Sequence, residues 1–431
     1  MPRPSDIALE DEDSGETLSG GRATVKTTNR RDFLVSCGLS AGGLLVGCQS
    51  QESQPNLDEF IQTKMQRSHI PGLAAAVITG GEVVWSNGYG WADIDRRVEM
   101  TPDTLQNIGS ISKTFVGTAV MQLKEMGALR LDDEVNRYLD FSVRNPNHPD
   151  SPITFIDLMT HRSSIADGSA YARGYVCGDS PISLEEWIRG YFVPDGEFFA
   201  AAENFHPWAP GEQFEYNNVA FGLLAYLVEV ISETSFDEYC RSQLFEPLGM
   251  TDTSWYLRDI DTTRHAIPYS YVSDSELRGP AWGGSAQGVV GGNEVPPVSN
   301  GYAANCLYNH PNFPDGFLRT SVHQLARYQM AYLSGGSLGG REILSEVSIH
   351  EMLTPQMTIP GNGGRGQGLV WRSQELSNGE RVWGHTGGDP GINTLLHFDP
   401  SSGRGVIVFA NTWGAELAEV CERLFEEVER L

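Results

Sequence analysis

The stretch that decides the fold is Gly109-Ser110-Ile111-Ser112-Lys113-Thr114-Phe115-Val116, which heads an apolar segment with helical spacing. A serine and a lysine three residues apart lie one turn apart on the same face of a helix. Serine becomes a nucleophile when a neighbouring base takes its proton, and lysine can be that base where burial disfavours its charged form. Backbone N–H groups at the start of the helix could stabilise the oxyanion that forms during acyl transfer.

The use of lysine in this chain supports that interpretation. Of 30 basic residues only four are lysines, namely Lys26, Lys64, Lys113 and Lys124. A chain that otherwise prefers arginine has a lysine where an amine able to lose its proton would matter. The alternative is a surface lysine that follows a helix-capping serine, because the S-x-x-K pattern alone is a weak signal.

Composition excludes some classes of function. The formal net charge is -26 over 431 residues, and such an acidic surface would repel the phosphates of nucleic acid. After the first fifty positions the sequence has no long uninterrupted apolar run, so we expect no membrane span in the body of the chain. The sequence indicates no cofactor and no metal site, since its cysteines lack metal-like spacing.

The first residues resemble a targeting segment. Asn29-Arg30-Arg31-Asp32-Phe33-Leu34 resembles a twin-arginine export signal, and Leu45-Val46-Gly47-Cys48 resembles a bacterial lipobox. We therefore predict a signal peptide over 1–47, a lipid anchor at Cys48 and a polar tether over 48–56. The protein would be an exported, periplasmic or cell-envelope lipoprotein that contacts the membrane only through Cys48. The alternative is a cytosolic protein with a disordered tail and an incidental Arg-Arg pair.

Four cysteines remain for the folded body. Cys240 and Cys421 fall in segments with a helical apolar pattern, which predicts buried free thiols. Cys177 and Cys306 fall in loop-like insertions and could form a disulfide in an oxidising compartment.

Hydrophobic periodicity predicts one folded domain over 57–431, with strands at both ends of the chain and helices between them. The predicted strands cover 73–78 and 83–88, joined by a hairpin turn, and 368–373, 381–384, 393–399 and 405–411; a nearly all-apolar helix over 221–231 should be deeply buried. A sheet lobe would comprise 57–109 and 316–431, with an all-helical lobe inserted over 110–315. The fold would be a mainly antiparallel sheet flanked by helices, an αβα sandwich. The segment 281–316 is rich in glycine, proline and asparagine, and its length predicts an irregular active-site rim.

Two further motifs follow the first. They are Pro210-Gly211-Glu212-Gln213-Phe214-Glu215-Tyr216-Asn217-Asn218 and Trp383-Gly384-His385-Thr386-Gly387-Gly388. With S-x-x-K, Y-x-N and H-x-G in this order, the chain resembles the serine β-lactamase and penicillin-binding-protein superfamily. The branch that it resembles includes class C β-lactamases, family VIII esterases, D-aminopeptidases and DD-carboxypeptidases. The resemblance implies the β-lactamase/transpeptidase-like fold.

The resemblance also implies roles for the matching residues. Ser110 would be the acylated nucleophile, Lys113 its base and Tyr216 a proton shuttle. Asn218 would hold the substrate acyl group and Lys113 by hydrogen bonds. The third motif would line the substrate site; its members are His385, Thr386, Gly387 and Gly388. The N–H groups of Ser110 and Gly388 would form the oxyanion hole.

The chain departs from the family pattern at the third motif. His385, expected on an edge strand, replaces the lysine that in most β-lactamases pairs with the substrate carboxylate. A neutral imidazole binds a carboxylate less well, which favours esters or D-amino-acid peptides over β-lactams. Asn217 replaces the commoner serine of Y-S-N. Two other candidates are set aside: Ser337 lies in a glycine-rich turn that only imitates a G-x-S-x-G elbow, and His161 is expected to brace the helix over 155–159.

Three hypotheses follow for function. The first is an exported serine hydrolase that forms an acyl-enzyme on Ser110 and acts on a small ester, amide or peptide. The second is a β-lactamase or DD-carboxypeptidase. The third belongs to another class, a penicillin-binding receptor or scaffold that is acylated without turning over.

Overall fold

A nine-stranded antiparallel sheet, built from segments far apart in the chain, forms the centre of the fold. The computed structural model describes residues 56–271, 298–361 and 364–428. In spatial order the sheet reads β13-β14-β15-β16-β17-β18-β1-β2-β3. Its strands are β1 Gly72–Thr79, β2 Glu82–Asp93, β3 Val98–Glu99, β13 Met357–Thr358, β14 Gly366–Gln367, β15 Arg372–Glu375, β16 Arg381–Asp389, β17 Ile392–Asp399 and β18 Arg404–Ala410.

Short strands form four smaller sheets, which pair β4 with β10, β5 with β9, β11 with β12, and β8 with both β6 and β7. These strands are β4 Gln106–Asn107, β5 Val176–Cys177, β6 Tyr269–Tyr271, β7 Val298–Ser299, β8 Tyr302–Ala304, β9 Tyr308–Asn309, β10 Arg319–Thr320, β11 Ser337–Leu338 and β12 Arg341–Glu342. The pairs β5–β9 and β6–β8–β7 lie within the segment 110–315, so the predicted all-helical lobe is wrong in that detail.

Helices cover the sheet and fill the inserted lobe. They are α1 Leu57–Arg67, α2 Ser112–Glu125, α3 Phe155–Met159, α4 Ser169–Ala172, α5 Leu184–Phe192, α6 Ala201–Asn204, α7 Val219–Ser232, α8 Phe236–Cys240, α9 Glu246–Leu248, α10 Val322–Leu333, α11 Glu346–Met352 and α12 Ala418–Glu427. Side chains cap several of them, as expected for Ser, Thr and Asn before a helix. Thr154 with Asp157 and Ser183 with Glu186 form capping boxes at the starts of α3 and α5.

The first strand shows why the sheet has helices on both faces. β1 pairs with β18 on one side and with β2 on the other. Successive side chains of a strand point to opposite faces. Leu73, Ala75 and Val77 pack in one core with α1 and α12, while Ala74, Ala76 and Ile78 pack in the larger core with α2 and α7. The predicted αβα arrangement is therefore confirmed.

Helix α7 is the most apolar element of the inserted lobe. Its first ten residues, Val219 to Val228, are buried, and each fully buried leucine or phenylalanine there contributes on the order of 2 kcal/mol. The helix ends at Glu233, whose φ of 55° leaves the helical region. It packs against α2, so the apolar stripe behind the S-x-x-K motif has its partner there.

The strand predicted over 368–373 forms only from Arg372 onward, as the start of β15. Residues 368–371 form the loop of a hairpin between β14 and β15, in which Gln367 pairs with Arg372. Val370 has a φ of +71°, a left-handed conformation outside the range that β-branched residues adopt in strands. The hydrophobic residues at 369–371 are buried for packing and not as part of a strand.

Several predictions fall on residues that the structure does not describe. The signal peptide 1–47, its anchor Cys48 and the tether up to residue 55 lie outside the described residues, as does the part 281–297 of the predicted rim. Among the described residues, no single helix is long and apolar enough to cross a membrane; only α7 and the segment 236–248, bent by 80° between them, pass that criterion together. No cluster that could hold a metal ion occurs in the described ranges.

Candidate active site

Ser110 lies in a short 3₁₀ turn, Gly109–Ile111, that leads directly into α2. Gly109 has a φ of +54°, and a Cβ atom there would come within 2.8 Å of the Gly388 nitrogen. Only glycine allows this backbone conformation together with so close an approach. The turn therefore brings Ser110 against strand β16, where the third motif lies.

Lys113 is fully buried one turn after Ser110. Its Nζ atom donates hydrogen bonds to Ser110 Oγ at 3.0 Å, to Asn218 Oδ1 at 2.7 Å and to the Asp315 carbonyl oxygen at 2.7 Å. An ammonium has three protons, so every proton of Lys113 has an acceptor. The contact with Ser110 Oγ places an amine where it can exchange a proton with the nucleophile.

Tyr216 lies beside this pair. Lys113 Nζ is 5.1 Å from the centre of its ring, and the Arg372 guanidinium is 4.7 Å from the same centre. The phenol oxygen is shielded from solvent and has no hydrogen-bond partner within the described ranges. A buried hydroxyl without a partner is costly, so the Tyr216 phenol has an unused hydrogen-bonding capacity beside Lys113.

Asp167 fixes the orientation of the Y-x-N motif and was missed by the sequence analysis. Its carboxylate accepts hydrogen bonds from the backbone N–H groups of Asn218 and Val219 and from the side-chain amides of Asn217 and Asn218. With Asn218 Nδ2 bound to Asp167, Asn218 Oδ1 faces Lys113. The sequence signal for this residue is slight, since it is one aspartate in the loop after Ser163-Ser164.

The structure adds a second role to the one expected of His161. The imidazole is 1 % exposed and its Nδ1 accepts a hydrogen bond from the backbone N–H of Asn217 at 3.2 Å. Its ring packs at 4.4 Å from the Tyr216 ring and 5.1 Å from that of Phe221. His161 thus supports the second motif with its ring, while its backbone N–H donates to the Leu158 carbonyl at the end of α3, at 3.3 Å. Burial keeps the pKa of His161 well below its ordinary value, so the ring is neutral.

Strand β16 supplies the third motif. A Cβ atom on Gly387 would meet the Ile108 carbonyl oxygen at 2.0 Å, so this glycine is required for the strand to pack against the Ser110 turn. Thr394 on β17 strengthens the same junction by donating to the Ile108 carbonyl at 2.7 Å. Thr386 and Gly388 face the opposite, exposed side of β16, and Gly388 lines the cavity that contains Ser110.

His385 is buried within this strand. Its Nδ1 lies 2.7 Å from the Thr386 carbonyl oxygen; a carbonyl can only accept, so Nδ1 has the proton and Nε2 is an acceptor. Desolvation keeps the pKa of His385 well below its ordinary value. The prediction that His385 lies on an edge strand is wrong for β16 as a whole, because β15 and β17 flank this strand. Within the described residues, however, the pairing with β15 stops at Gly384, so the strand is unpaired on that side from His385 onward.

Ser110 opens into a cavity of about 120 Å³. The lining residues are Ser110, Tyr171, Tyr175, Tyr216, Asn218, Asp315, Gly316, Phe317, Gly388 and Asp389. The structure thus brings together four of the residues that the sequence predicted. It adds two tyrosines and two aspartates that sequence reasoning missed.

The predicted disulfide is confirmed and lies beside this cavity. Cys177 and Cys306 are bonded, which links β5 to the loop before β9. Tyr175 precedes Cys177 by two residues, so the bond fixes one wall of the cavity. Cys240 and Cys421 are buried free thiols, as predicted. The decoy Ser337 lies in the short β11–β12 hairpin, away from the residues that line the cavity.

The comparison with known families agrees with this geometry. A family model described as Beta-lactamase matches residues 57–427. The chain belongs to the Beta-lactamase family. Protein flp of Staphylococcus aureus (strain N315) is 24% identical over 381 residues, which cover 88% of this chain and 67% of that protein.

Two solved structures resemble this Beta-lactamase-family protein over most of its length. The octameric penicillin-binding protein homologue from Pyrococcus abyssi has a TM-score of 0.65 and 27% identity, and the match covers 87% of this chain and 77% of that one. The D-amino acid amidase from Ochrobactrum anthropi SV3 has a TM-score of 0.68 and 20% identity, and the match covers 87% and 98%. The fold is therefore that of β-lactamase-related serine hydrolases.

Proposed function

We propose that this protein is an exported serine hydrolase that forms an acyl-enzyme on Ser110 and acts on esters or on D-amino-acid amides and peptides. The observation that supports this most directly is the 3.0 Å hydrogen bond between Lys113 Nζ and Ser110 Oγ. It joins a nucleophile to a base, and the cavity beside it contains the predicted oxyanion glycine and the free phenol of Tyr216.

The reaction would proceed in two halves. In its amine form Lys113 accepts the Ser110 proton while Oγ bonds to the substrate acyl carbon. The N–H groups of Ser110 and Gly388 stabilise the oxyanion. Lys113 then returns the proton through the Tyr216 phenol to the departing alcohol or amine, which leaves the acyl group on Ser110. Water repeats the steps in reverse order, releases the acid and restores Ser110.

The neutral state of His385 is the reason to prefer esters and D-amino-acid substrates over β-lactams. Without a proton on both nitrogens the ring offers no positive charge to a substrate carboxylate. The remaining cations near the ring are Lys113 and Arg372, which themselves lower the pKa of His385. A β-lactamase or DD-carboxypeptidase would instead gain from a cation at this position.

Parallel assays with p-nitrophenyl butyrate, a D-Ala-D-Ala peptide and nitrocefin test the proposal. We expect turnover of the ester or the peptide that exceeds turnover of nitrocefin, together with an acyl adduct on Ser110 by mass spectrometry. Ser110→Ala should abolish both, while Ser337→Ala should retain near wild-type activity. A single stoichiometric burst without turnover would instead favour the receptor class, and loss of activity in Ser337→Ala alone would contradict the assigned nucleophile.

Export and lipid anchoring are part of the same proposal. The Cys177–Cys306 disulfide supports export, since structural disulfides persist in oxidising compartments. The twin-arginine-like and lipobox-like segments support the route and the anchor at Cys48. Metabolic labelling with palmitate tests this: we expect label on the wild type and none on Cys48→Ala, which should move to the soluble envelope fraction. Equal fractionation of both proteins would contradict the anchor.

A further inference from the structure

Two carboxyl groups line the cavity beside Ser110 and have no part in the proton transfers described above. They are Asp315, which ends the 3₁₀ turn before β10, and Asp389, which directly follows Gly388 at the end of β16. Buried carboxyl groups are costly unless paired. Their placement in the cavity that must receive the substrate therefore requires an explanation.

Asp315 is only partly satisfied. It is 2 % exposed, its Oδ2 accepts a hydrogen bond from the Tyr171 phenol at 2.6 Å, and the same oxygen is 3.7 Å from Lys113 Nζ. Its Oδ1 is buried and has no hydrogen-bond partner in the part of the chain that the structure describes. The Asn312 side chain is near enough to lower the pKa of this carboxyl, but it does not complete a hydrogen bond to Oδ1.

The carboxyl group of Asp389 is stabilised less well than that of Asp315. It is 5 % exposed, its Oδ1 accepts from the Tyr175 phenol at 2.9 Å, and its Oδ2 is 3.4 Å from Asn107 Nδ2. No ion pair involving Asp389 occurs among the described residues, and all three protons of Lys113 are used elsewhere. The cavity therefore has two acidic groups and one buried cation.

The pKa values of the two carboxyls show the effect of burying two acidic groups with one cation. Burial, with repulsion from Asp315, raises the pKa of Asp389 to about 8, and burial raises that of Asp315 to about 6 in spite of the nearby Lys113. A second positive charge in the cavity would favour both carboxylates. Two tyrosine rings, those of Tyr171 and Tyr175, lie 6.4 Å apart at the same wall and could also contact a cation.

We propose that Asp315 and Asp389 form a subsite for an ammonium group on the acyl part of the substrate. The hydrolase would then select small aminoacyl esters or amides over acyl groups without an amine. This inference rests on the proposed function of Ser110, and it narrows the substrate class. The cavity of about 120 Å³ favours a small acyl group, and the carboxyl groups that line it would repel a substrate carboxylate once they are ionised.

Competition against p-nitrophenyl propionate tests the subsite. The competitors are D-alaninamide, L-alaninamide and propionamide, which has the same carbon skeleton without the amine. We expect at least one alaninamide enantiomer to inhibit about tenfold more strongly than propionamide, and N-acetylation of that enantiomer to abolish the difference. Equal inhibition constants for the three amides would overturn the proposal.

Substitution links the preference to the two carboxyls. Asp389→Asn keeps the shape and the acceptor for Tyr175 but cannot ionise when an ammonium binds. It should reduce the ratio of the inhibition constant of propionamide to that of the better alaninamide at least fivefold. Asp315→Asn should act in the same direction. Asp150 is exposed and is not one of the residues that line the cavity. Asp150→Asn makes the same chemical change and should leave the ratio unaltered. An unchanged ratio in both cavity variants would overturn the proposal, and the wild-type ratio tests it even if one variant fails to fold.

The hydrolase function and the ammonium subsite can be disproved separately. If p-nitrophenyl propionate is not hydrolysed and Ser110 acquires no acyl adduct, the proposed hydrolase function is wrong. If the ester is hydrolysed through Ser110 but amines have no advantage, the hydrolase function stands and the ammonium subsite is wrong.

Discussion

Lys113 is the residue whose surroundings are most completely determined. It is inaccessible to solvent, and its three donors point at the Ser110 hydroxyl, the Asn218 amide oxygen and the Asp315 carbonyl. A guanidinium in its place would need more space and could not accept a proton near neutral pH. The identity of this side chain, and not only its charge, should therefore control turnover.

We expect Lys113→Arg and Lys113→Ala to reduce kcat by roughly 10² to 10⁴-fold. Lys124→Arg on the same helix is the matched control, because Lys124 makes only a partly exposed ion pair with Glu351. Ester hydrolysis by the three variants, with circular dichroism to check folding, measures the difference. A Lys113→Arg enzyme with more than about a tenth of wild-type kcat would contradict the role of a base.

Asp167 is expected to act through Asn218. In Asp167→Asn one acceptor oxygen becomes a donor that faces the N–H groups at the start of α7, at a cost of about 1 to 3 kcal/mol in unfolding free energy. Asn218 then loses the partner that directs its oxygen to Lys113, and kcat should fall about tenfold or more. KM and kcat measured separately should show the loss mainly in kcat. A variant with reduced stability and unaltered kcat would mean that Asp167 serves only the fold.

At the scale of elements, the junction between β16 and the Ser110 turn depends on two neighbouring glycines with different requirements. Gly387→Ala would place a Cβ atom 2.0 Å from the Ile108 carbonyl. In Gly388→Ala, by contrast, the new Cβ atom would meet Trp413 alone of the described residues, at 3.4 Å. We expect Gly387→Ala to lose on the order of 2 kcal/mol of stability and most of its activity. Gly388→Ala keeps its N–H and should retain its melting temperature. Thermal denaturation of both variants gives the comparison, and equal losses would contradict the packing argument.

The disulfide between β5 and the loop before β9 closes a loop with a sequence separation of 129 residues. Chain-entropy arguments assign such a cross-link about 2 to 5 kcal/mol. The Cys177→Ala, Cys306→Ala double variant should therefore unfold at a lower denaturant concentration, and reduced wild type should match it. Urea titrations with and without dithiothreitol measure this. No shift with reductant would show that the bond is absent or contributes nothing.

Local patterns predicted the elements better than they predicted strand ends. The β1–β2 hairpin, the buried α7 and the strands β16 to β18 follow from period and turn residues. The segment 368–371 looked like a strand because its residues are apolar, yet the backbone turns there through Val370 with a positive φ. Apolar character reports burial, and a short buried loop has the same signature as a short buried strand.

At the scale of the whole molecule, the buried carboxyls make stability depend on pH. The folded-state pKa of Asp389 is about 8, far above the value of about 3.9 in an unfolded chain. The folded protein thus holds a proton that the unfolded chain releases. The associated stability is full below about pH 4, falls as the pH rises and is lost above about pH 8, with a total on the order of a few kcal/mol.

Asp389→Asn removes this titration. The difference in melting temperature, variant minus wild type, should become more positive between pH 5 and pH 9, while the exposed Asp150→Asn should show no such trend. Differential scanning calorimetry across that range measures both. A difference independent of pH would mean that Asp389 is ionised in the folded protein.

The candidate site was predictable where its residues belong to contiguous motifs. Ser110, Lys113, Tyr216 and Gly388 all follow from three short patterns. Asp315 and Asp389 were not, although Asp389 adjoins the third motif, because their meaning arises from contacts with Tyr171 and Tyr175 that span 144 and 214 residues. Such pairings follow no local period. They are set by how the inserted lobe closes over the sheet.

The place of β18 between β17 and β1 has a consequence for the order of events during synthesis. Ser110 is made early, but the strand that joins the first hairpin to the strands of the third motif follows about 300 residues later. At roughly 5 to 20 residues per second, the nascent chain spends some 15 to 60 s with Ser110 already made and β18 still absent. During that interval the ribosome holds a polypeptide that cannot yet attack an ester. Completion of the central sheet therefore requires that translation has passed Ala410.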